Sequence, residues 1–463
     1  MAKYKQDDIV KVKIASFGMD GEGVAREDEF VFFVPFALPG EEVSCKVTYV
    51  KKNLVFAELK EVLTPSASRV KPPCNRFVRC GGCDLMHLKY SEQLELKRAN
   101  VANLFRKNAG LDVVVAPTVP CSTPQGYRNK IQLPFGTVNG KVAMGFYREN
   151  SHKIVSITKC FLHGEWVEKL IKVFVEYAQK YGVSAYDDLT KKGVLRHLVA
   201  RHIDDKYCIV VVTNNSDLPK KKELIDMLRN AIGDDFSLFL SKKTDYTNVI
   251  LGKEMIELKH FDFIIDVLGV KLPLNPYSFL QLNNEIRDKI YNDVIERILK
   301  NSEDKKLRVF DAYAGVGVLG AVLAKRGMNV TNIEIVKEAT EDGISLAKLN
   351  GIEDKVTVIN GDAAVKLPEA VASLEADEEA AVILDPPRKG CDERVLKAIA
   401  SLNVPHTIYY ISCNPATLTR DVKILLSSGD YALSTPVPYD MFPQTKHVET
   451  LVVLSRKTPN DNV

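Results

Sequence analysis

The chain has 463 residues, 46% hydrophobic and 27% charged, with a formal net charge of +3. That length predicts two to four domains with a sizeable core, and the net charge is too small to argue by itself for a nucleic-acid partner. No apolar run is long enough to span a bilayer, and Met1-Ala2-Lys3-Tyr4-Lys5-Gln6 lacks the apolar core of a secretory signal, so a cytoplasmic protein with no membrane association is expected.

The first 60 residues read as all-β. Asp8–Ile14 alternates apolar and polar residues, Phe30–Val34 and Glu42–Val47 follow, and Gly18, Gly21, Gly23 and Gly40 mark turns between them. Short strands at this spacing predict a small barrel. Thr64-Pro65-Ser66-Ala67-Ser68 and Pro72-Pro73 read as a linker. Charge is uneven here: residues 1–50 carry 6 Lys+Arg against 9 Asp+Glu, and residues 51–110 carry 12 against 5. The basic segment suits phosphates or a solvated face equally well.

Nine cysteines in an intracellular chain are poor candidates for disulfides. Three cluster as Cys74-x5-Cys80-x2-Cys83, with Gly81 and Gly82 between the last two. Three thiols want a fourth ligand, and Cys160 is the candidate; zinc and an iron–sulfur cluster both suit the spacing. A helix follows over Ser91–Asn108. Residues 120–270 mix strands and helices without a repeat. They include Tyr127-Arg128-Asn129-Lys130 and Tyr147-Arg148, whose Arg128, Lys130 and Arg148 are candidate phosphate or base contacts or surface charge.

From about residue 275 the order is regular. Helices are predicted over Asn283–Leu299, Val318–Arg326, Lys337–Leu349, Glu393–Ala400 and Leu418–Leu426. They alternate with strands Leu307–Phe310, Asn329–Ile335, Val356–Ile359, Ala381–Leu384 and Thr407–Ile411, before a last strand, Val448–Ser455. Such alternation predicts a doubly wound, largely parallel sheet.

Three of these strands end in polar motifs. Gly315-x-Gly317-x-x-Gly320 matches a dinucleotide fingerprint, with Glu334 about 20 residues on. Asp311 in the preceding loop disfavours a pyrophosphate, which wants amides and no carboxylate. It suits the cationic S-adenosylmethionine, with Glu334 for the ribose hydroxyls and Asp362 for the adenine amine. A nicotinamide oxidoreductase stands as the rival. The second strand leads into Asp385-Pro386-Pro387-Arg388, and the third ends at Ser412-Cys413-Asn414-Pro415. A thiol there is either an inert core cysteine or a nucleophile, and Glu449 at the start of the last strand is a candidate base.

Taken together, these motifs resemble those of the RNA uridine-5-methyltransferases that carry an N-terminal TRAM domain. Phe279-x-Gln281-x-Asn283, Asp311-x-Tyr313-x-Gly315-x-Gly317, Glu334, Asp385-Pro386-Pro387-Arg388-Lys389-Gly390 and Ser412-Cys413-Asn414-Pro415 follow in the family's order. The resemblance implies an OB-like TRAM barrel over 1–62 and an α+β central domain over 63–270 that holds a [4Fe–4S] cluster on Cys74, Cys80, Cys83 and Cys160. It implies a Rossmann-like methyltransferase over 271–463, with the segment about 90–120 packing on it. Gln281, Tyr313, Glu334 and Asp385 would contact S-adenosylmethionine, Cys413 would be the nucleophile and Glu449 the base. The implied substrate is a uridine of 23S ribosomal RNA; a transfer RNA uridine and a non-catalytic RNA-binding protein are the alternatives. No obligate protein partner is implied. Two positions depart from the pattern: Ala314 stands where many relatives have Cys, and Val318 where one branch has Asn.

Overall fold

A computed structural model describes residues 3–148, 151, 153–245, 247, 249–303, 305–428 and 431–456. Strands β1 (Ile9–Lys13), β2 (Ser16–Phe17), β3 (Gly23–Glu27), β4 (Phe30–Val34), β5 (Glu42–Lys51) and β6 (Leu54–Thr64) form a six-stranded sheet in the order β1-β5-β6-β4-β3-β2. The period of two turns Val43, Cys45 and Val47 of β5 inward against Phe32, Val34 and Val55. Strand β6 runs through Leu54–Thr64, up to the start of the predicted linker. Its pairing with β5 shifts register three times, which breaks the alternation that would reveal it in sequence.

Helix α1 (Tyr90–Leu104) continues as a π-helical turn, Phe105–Ala109, closed by Gly110 at φ +73°. Val101 and Phe105 pack in one core with Phe310, Leu384 and Leu418 of the C-terminal part, and Val115 joins them.

The central part is a seven-stranded sheet, β13-β12-β11-β10-β7-β8-β9. It comprises β7 (Lys130–Val138), β8 (Lys141–Tyr147), β9 (Ile154–Ser156), β10 (Leu195–Ile203), β11 (Lys206–Thr213), β12 (Phe236–Lys242) and β13 (Glu254–Lys259). The amphipathic helices α2 (Glu165–Lys180) and α3 (Lys221–Ile232) supply Leu170, Phe174, Leu224 and Leu228 to its core. A hairpin of β14 (Ile264–Val267) and β15 (Val270–Pro273) inserts Ile265, Val267, Val270 and Leu272 into the C-terminal core, on both sides of residue 270.

The C-terminal part opens with α4 (Asn284–Asn301), capped by the Asn283 side chain. Then follow β16 (Lys306–Asp311), α5 (Val318–Lys325), β17 (Asn329–Glu334), α6 (Lys337–Asn350), β18 (Val356–Asn360), α7 (Ala363–Val371) and β19 (Glu378–Leu384). Helices α8 (Glu393–Ala400) and α9 (Pro415–Leu426) flank β20 (His406–Ser412), and β21 (Tyr431–Leu433), β22 (Val437–Tyr439) and β23 (Glu449–Arg456) finish the chain. The sheet order is β18-β17-β16-β19-β20-β23-β21, with β22 also paired to β23. Strands β18 to β20 run parallel and β23 antiparallel. Ala380–Leu384 of β19 are all buried, as expected of a parallel strand covered on both faces. Helix α7 has no clear signal in the sequence, because Pro368 inside it reads as a breaker. Among the described residues no helix is long and apolar enough to cross a membrane.

Candidate active site

Every parallel strand of the C-terminal sheet ends on the same edge. The order β17-β16-β19-β20-β23 therefore sets Glu334, Asp311, Asp385, Cys413 and Glu449 side by side along it. The order reverses between β16 and β19, the switch point where open α/β sheets take their ligands. Strand β20 is antiparallel to β23 with Ser412 opposite Thr450, so Cys413 and Glu449 occupy the next step of the same register.

A cavity of about 380 Å³ opens at the switch point. Gln281, Asp311, Tyr313, Gly315, Glu334 and Asp385 all line it. Gly315 and Gly317 have φ of +56° and +76°, a region costly for other residues. A Cβ on Gly317 would lie 2.2 Å from Asn332 Nδ2, so this glycine also permits close packing of α5 on β17. Glu334 accepts from Gly315 N at 2.9 Å and Val336 N at 2.8 Å, which fixes its carboxylate at the cavity wall. Gly317 itself does not line the cavity. Neither does Asp362, whose carboxylate accepts from Ala364 N at 2.9 Å as the cap of α7 and pairs with Arg394 at 3.0 Å.

The central part braces this cavity. Arg201 of β10 donates to Ser278 O at 3.2 Å and to Asn129 Oδ1 at 3.3 Å, and Asn129 Nδ2 donates to Gln281 O at 2.9 Å. Ser278 and Tyr291 line the cavity too. No sequence signal singles them out, since a serine in a loop and a tyrosine on a helix read as capping and packing.

Beside the cavity, Asn414 caps α9, with Pro415 at its first turn. Asn414 Nδ2 also donates to Arg388 O at 3.0 Å, stitching the two catalytic-looking loops together. Cys413 is half-buried directly before that cap. A helix N-terminus favours a thiolate, yet the Cys413 thiol is pushed up to about 11, because burial and then Glu449 and Asp385 outweigh it. Glu449 is fully buried, and both its carboxylate oxygens are unpartnered among the described residues. Burial, and then the Asp385 charge, hold it well above the usual carboxylate range. Burial raises Asp385 to about 7, and burial with the Asp385 charge raises Asp311 to about 7. Asp385 thus touches both halves electrostatically: it lines the cavity and perturbs Cys413 and Glu449. Arg388 is the cation that opposes these charges at Cys413 and Glu449.

Cys74, Cys80, Cys83 and Cys160 line a separate cavity of about 40 Å³, walled by Phe77, Met86, Phe146 and Leu162. Arg128 lines it as well, and its charge favours the thiolates of Cys80, Cys83 and Cys160. His163, buried and neutral, faces Cys160 Sγ through Nδ1 at 3.1 Å and Lys130 O through Nε2 at 3.1 Å. The carbonyl needs a donor, so Nε2 carries the proton and Nδ1 accepts. Among the described residues no group of three His, Cys, Asp or Glu is arranged to hold a single metal ion. Lys130 is partly buried near Arg201, and Arg148 is exposed at the end of β8.

Residues 89–457 match the family described as tRNA (Uracil-5-)-methyltransferase, and residues 6–60 match the TRAM domain. The chain is 39% identical over 456 residues to a Clostridium tetani protein named as an uncharacterized RNA methyltransferase, with 97% of each chain covered. A similarly named Halalkalibacterium halodurans protein is 37% identical over 462 residues, with 98% of this chain and 99% of the relative covered. Among solved structures, the Pyrococcus abyssi tRNA (uracil-54, C5)-methyltransferase in complex with S-adenosyl-L-homocysteine superposes with a TM-score of 0.75 at 28% identity. That match covers 96% of this chain and 99% of the other.

Proposed function

The chain belongs to the tRNA (uracil-5-)-methyltransferase family, and from that premise we propose that it moves a methyl group from S-adenosylmethionine to carbon 5 of a uridine in RNA. The reaction runs through a covalent bond between Cys413 Sγ and carbon 6. One observation carries this reading: a thiol and a buried, unpartnered carboxylate stand at adjoining register positions, joined through Asp385 to a cavity lined by acidic groups.

Carbon 5 of uracil is a weak nucleophile. Addition of the Cys413 thiolate to carbon 6 pushes electrons onto the ring, and carbon 5 becomes nucleophilic. S-adenosylmethionine, when bound, supplies an electrophilic methyl on a sulfonium. Asp311 and Asp385 complement its cationic groups, Gln281, Tyr313 and Gly315 line its place, Gly317 sets the start of α5, and Glu334 keeps lone pairs for the ribose. Asp362, already paired with Arg394, is left a minor role toward the adenine. After methyl transfer, Glu449 removes the carbon 5 proton and the returning electron pair expels Cys413. Its raised pKa makes it a stronger base than an exposed carboxylate. The target base reaches the edge only out of its stack.

We divide the chain into a TRAM domain (1–62), a central domain (63–270) and a methyltransferase domain (271–463) that also carries the segment about 90–120. The four cysteines fit a [4Fe–4S] cluster. They share one largely apolar cavity instead of converging on a single ion, and Arg128 offsets the negative charge such a cluster carries with its thiolates. Lys130 and Arg148 are the proposed RNA contacts, Arg128 serving the cysteines first. The cluster and the TRAM domain favour 23S ribosomal RNA. Transfer RNA is the second reading, favoured by the Pyrococcus abyssi neighbour's own substrate.

Mapping 5-methyluridine in ribosomal and transfer RNA of a deletion strain identifies the site and decides between the two substrates. With that RNA, Cys413→Ala should abolish methylation while S-adenosylmethionine still binds. Glu449→Gln should form the methylated adduct and release it slowly, seen as a persistent protein–RNA band. Turnover by Cys413→Ala refutes the covalent route.

A further inference from the structure

The central sheet holds a second cavity, of about 1100 Å³, that methyl transfer leaves unused. The ends of β7, β8 and β10 wall it, together with Tyr186, Leu189, Lys191, Lys243, Val249 and Ile250. Three buried polar atoms of its lining have no partner among the described residues: Arg196 Nε, Tyr186 Oη and His197 Nδ1. Arg196 is only 7% exposed and Tyr186 8%. Buried polar atoms are normally paired, so three orphans around one space mark a place where a polar ligand completes the structure.

The lining says what kind of ligand. The Arg196 guanidinium lies 4.5 Å from the centre of the Tyr186 ring, and its Nη1 donates to Asp245 O at 3.1 Å. Pinned on two sides, the guanidinium holds its free Nε–H in one direction, ready for an acceptor such as a phosphate oxygen or base carbonyl. Lys243 is buried beside it and paired with Asp245 at 2.6 Å. Tyr147 and Lys153 add an aromatic ring and a cation; two carboxylates, Asp187 and Asp188, also line the space, and Asp187 accepts from Leu189 N, Thr190 N and Thr190 Oγ1 of its own loop. Cations interleaved with aromatic rings suit a nucleotide, whose base stacks and whose phosphate is neutralised. The proposed RNA contact Arg148 stands between them, its N–H bonded to Lys153 O at 2.8 Å.

One hydrogen bond links the segment after this cavity to the catalytic one. Tyr277 lines the catalytic cavity, and its hydroxyl donates to Gly252 O at 3.4 Å, two residues beyond Ile250 of the second cavity. Tyr277 and Phe279, both lining the catalytic cavity, are 59% and 75% exposed. Strand β10 spans both, with Arg196 at one cavity and Arg201 bracing the loop of the other.

We propose that this cavity takes a second unstacked nucleotide of the RNA substrate, its base against Tyr147 and an acceptor on Arg196 Nε and Tyr186 Oη, while the target uridine occupies the catalytic edge. The proposal rests on the RNA-methylation reading, and the test separates the two. Steady-state methylation is followed with whichever unmodified RNA the wild-type enzyme methylates. Arg196→Ala should raise KM for RNA about tenfold, the scale of one lost hydrogen bond to a charged group, with kcat and S-adenosylmethionine affinity unchanged. Tyr186→Phe keeps the packing, removes one oxygen, and should raise the same KM by about threefold, as a lost hydrogen bond does. Photo-crosslinking of the wild-type complex should link a nucleotide to the peptide bearing Tyr147. An active enzyme whose KM is unmoved in both variants overturns the second site and leaves methylation standing. The second site is overturned likewise if only Arg196→Ala responds and its unfolding midpoint falls. A wild-type protein that methylates no RNA overturns both readings.

Discussion

Asp385 sits where two kinds of chemistry meet, and its charge state sets both. In the free protein Asp311 and Asp385 are each raised to about 7, by burial first and, for Asp311, by the other's charge. A cation bound between them favours the ionised forms. As pH rises from 6 to 8 these carboxylates lose their protons, so affinity for S-adenosylmethionine should rise over that window; below it, binding must first displace a proton. Calorimetric titration at several pH values should show the dissociation constant falling by up to about tenfold per unit for each proton displaced on the acid side. Asp385→Asn should weaken binding at pH 8 and flatten the profile. A flat wild-type profile would mean that these carboxylates do not face the cation. The residue types were legible in sequence because the strands that carry them end abruptly: Asp-Pro-Pro and Cys-Asn-Pro cannot continue a strand. What sequence could not supply was Asp385's double neighbourhood. That follows from strand order, and no local pattern encodes which strand lies beside which.

Helix α1 shows how an element can mislead in one dimension and be plain in three. Gln93 and Lys97 are polar, so their face reads as solvent-exposed, yet both are buried. Lys97 Nζ meets Asp440 Oδ1 at 2.5 Å and Phe442 O at 3.0 Å, and Tyr90 Oη donates to Asp440 Oδ2 at 2.7 Å. Gln93 Nε2 donates to Gln444 Oε1 at 3.0 Å. Lys97 and Asp440 are 343 residues apart in sequence, a distance at which no periodicity speaks. The parallel strands were legible for the opposite reason: burial on both faces leaves a near-continuous apolar run. Helix α7, interrupted by Pro368, and the register-shifted β6 were not. Removing one partner of a buried pair strands the other charge, so Lys97→Ala should lower stability by about 3–5 kcal/mol. Replacing both, as Lys97→Met with Asp440→Asn, should recover most of that loss. Denaturant unfolding of the three variants measures it, and a loss in the double variant equal to the single one would refute the pairing argument.

Across the whole molecule, one loop collects the three parts just before the proposed base. Lys446 Nζ pairs with Asp20 of the N-terminal sheet at 2.8 Å, and Lys446 N donates to Asp84 Oδ2 at 3.1 Å. Asp84 N and Leu85 N both donate to Gln444 O, at 3.1 and 3.0 Å. Cys83 is the next residue back from Asp84, so the cysteine loop and the TRAM domain are tied to a segment that runs straight into Glu449. A carboxylate with no hydrogen-bond partner of its own is held only by its backbone and its packing, and Glu449 is such a carboxylate. Loosening the loop should therefore harm proton removal more than thiol attack. Asp84→Ala, or removal of the proposed cluster's iron by a chelator from protein purified without oxygen, should leave S-adenosylmethionine affinity unchanged and still give the Cys413 adduct. Resolution of the methylated adduct should slow by about a hundredfold, the lower end of what a misplaced general base costs. Rapid-quench separation of adduct formation from release reads the two steps apart. If both slow equally, the loop serves only stability. If release alone slows, the cysteine loop bears on catalysis through the position of Glu449, with no electron transferred.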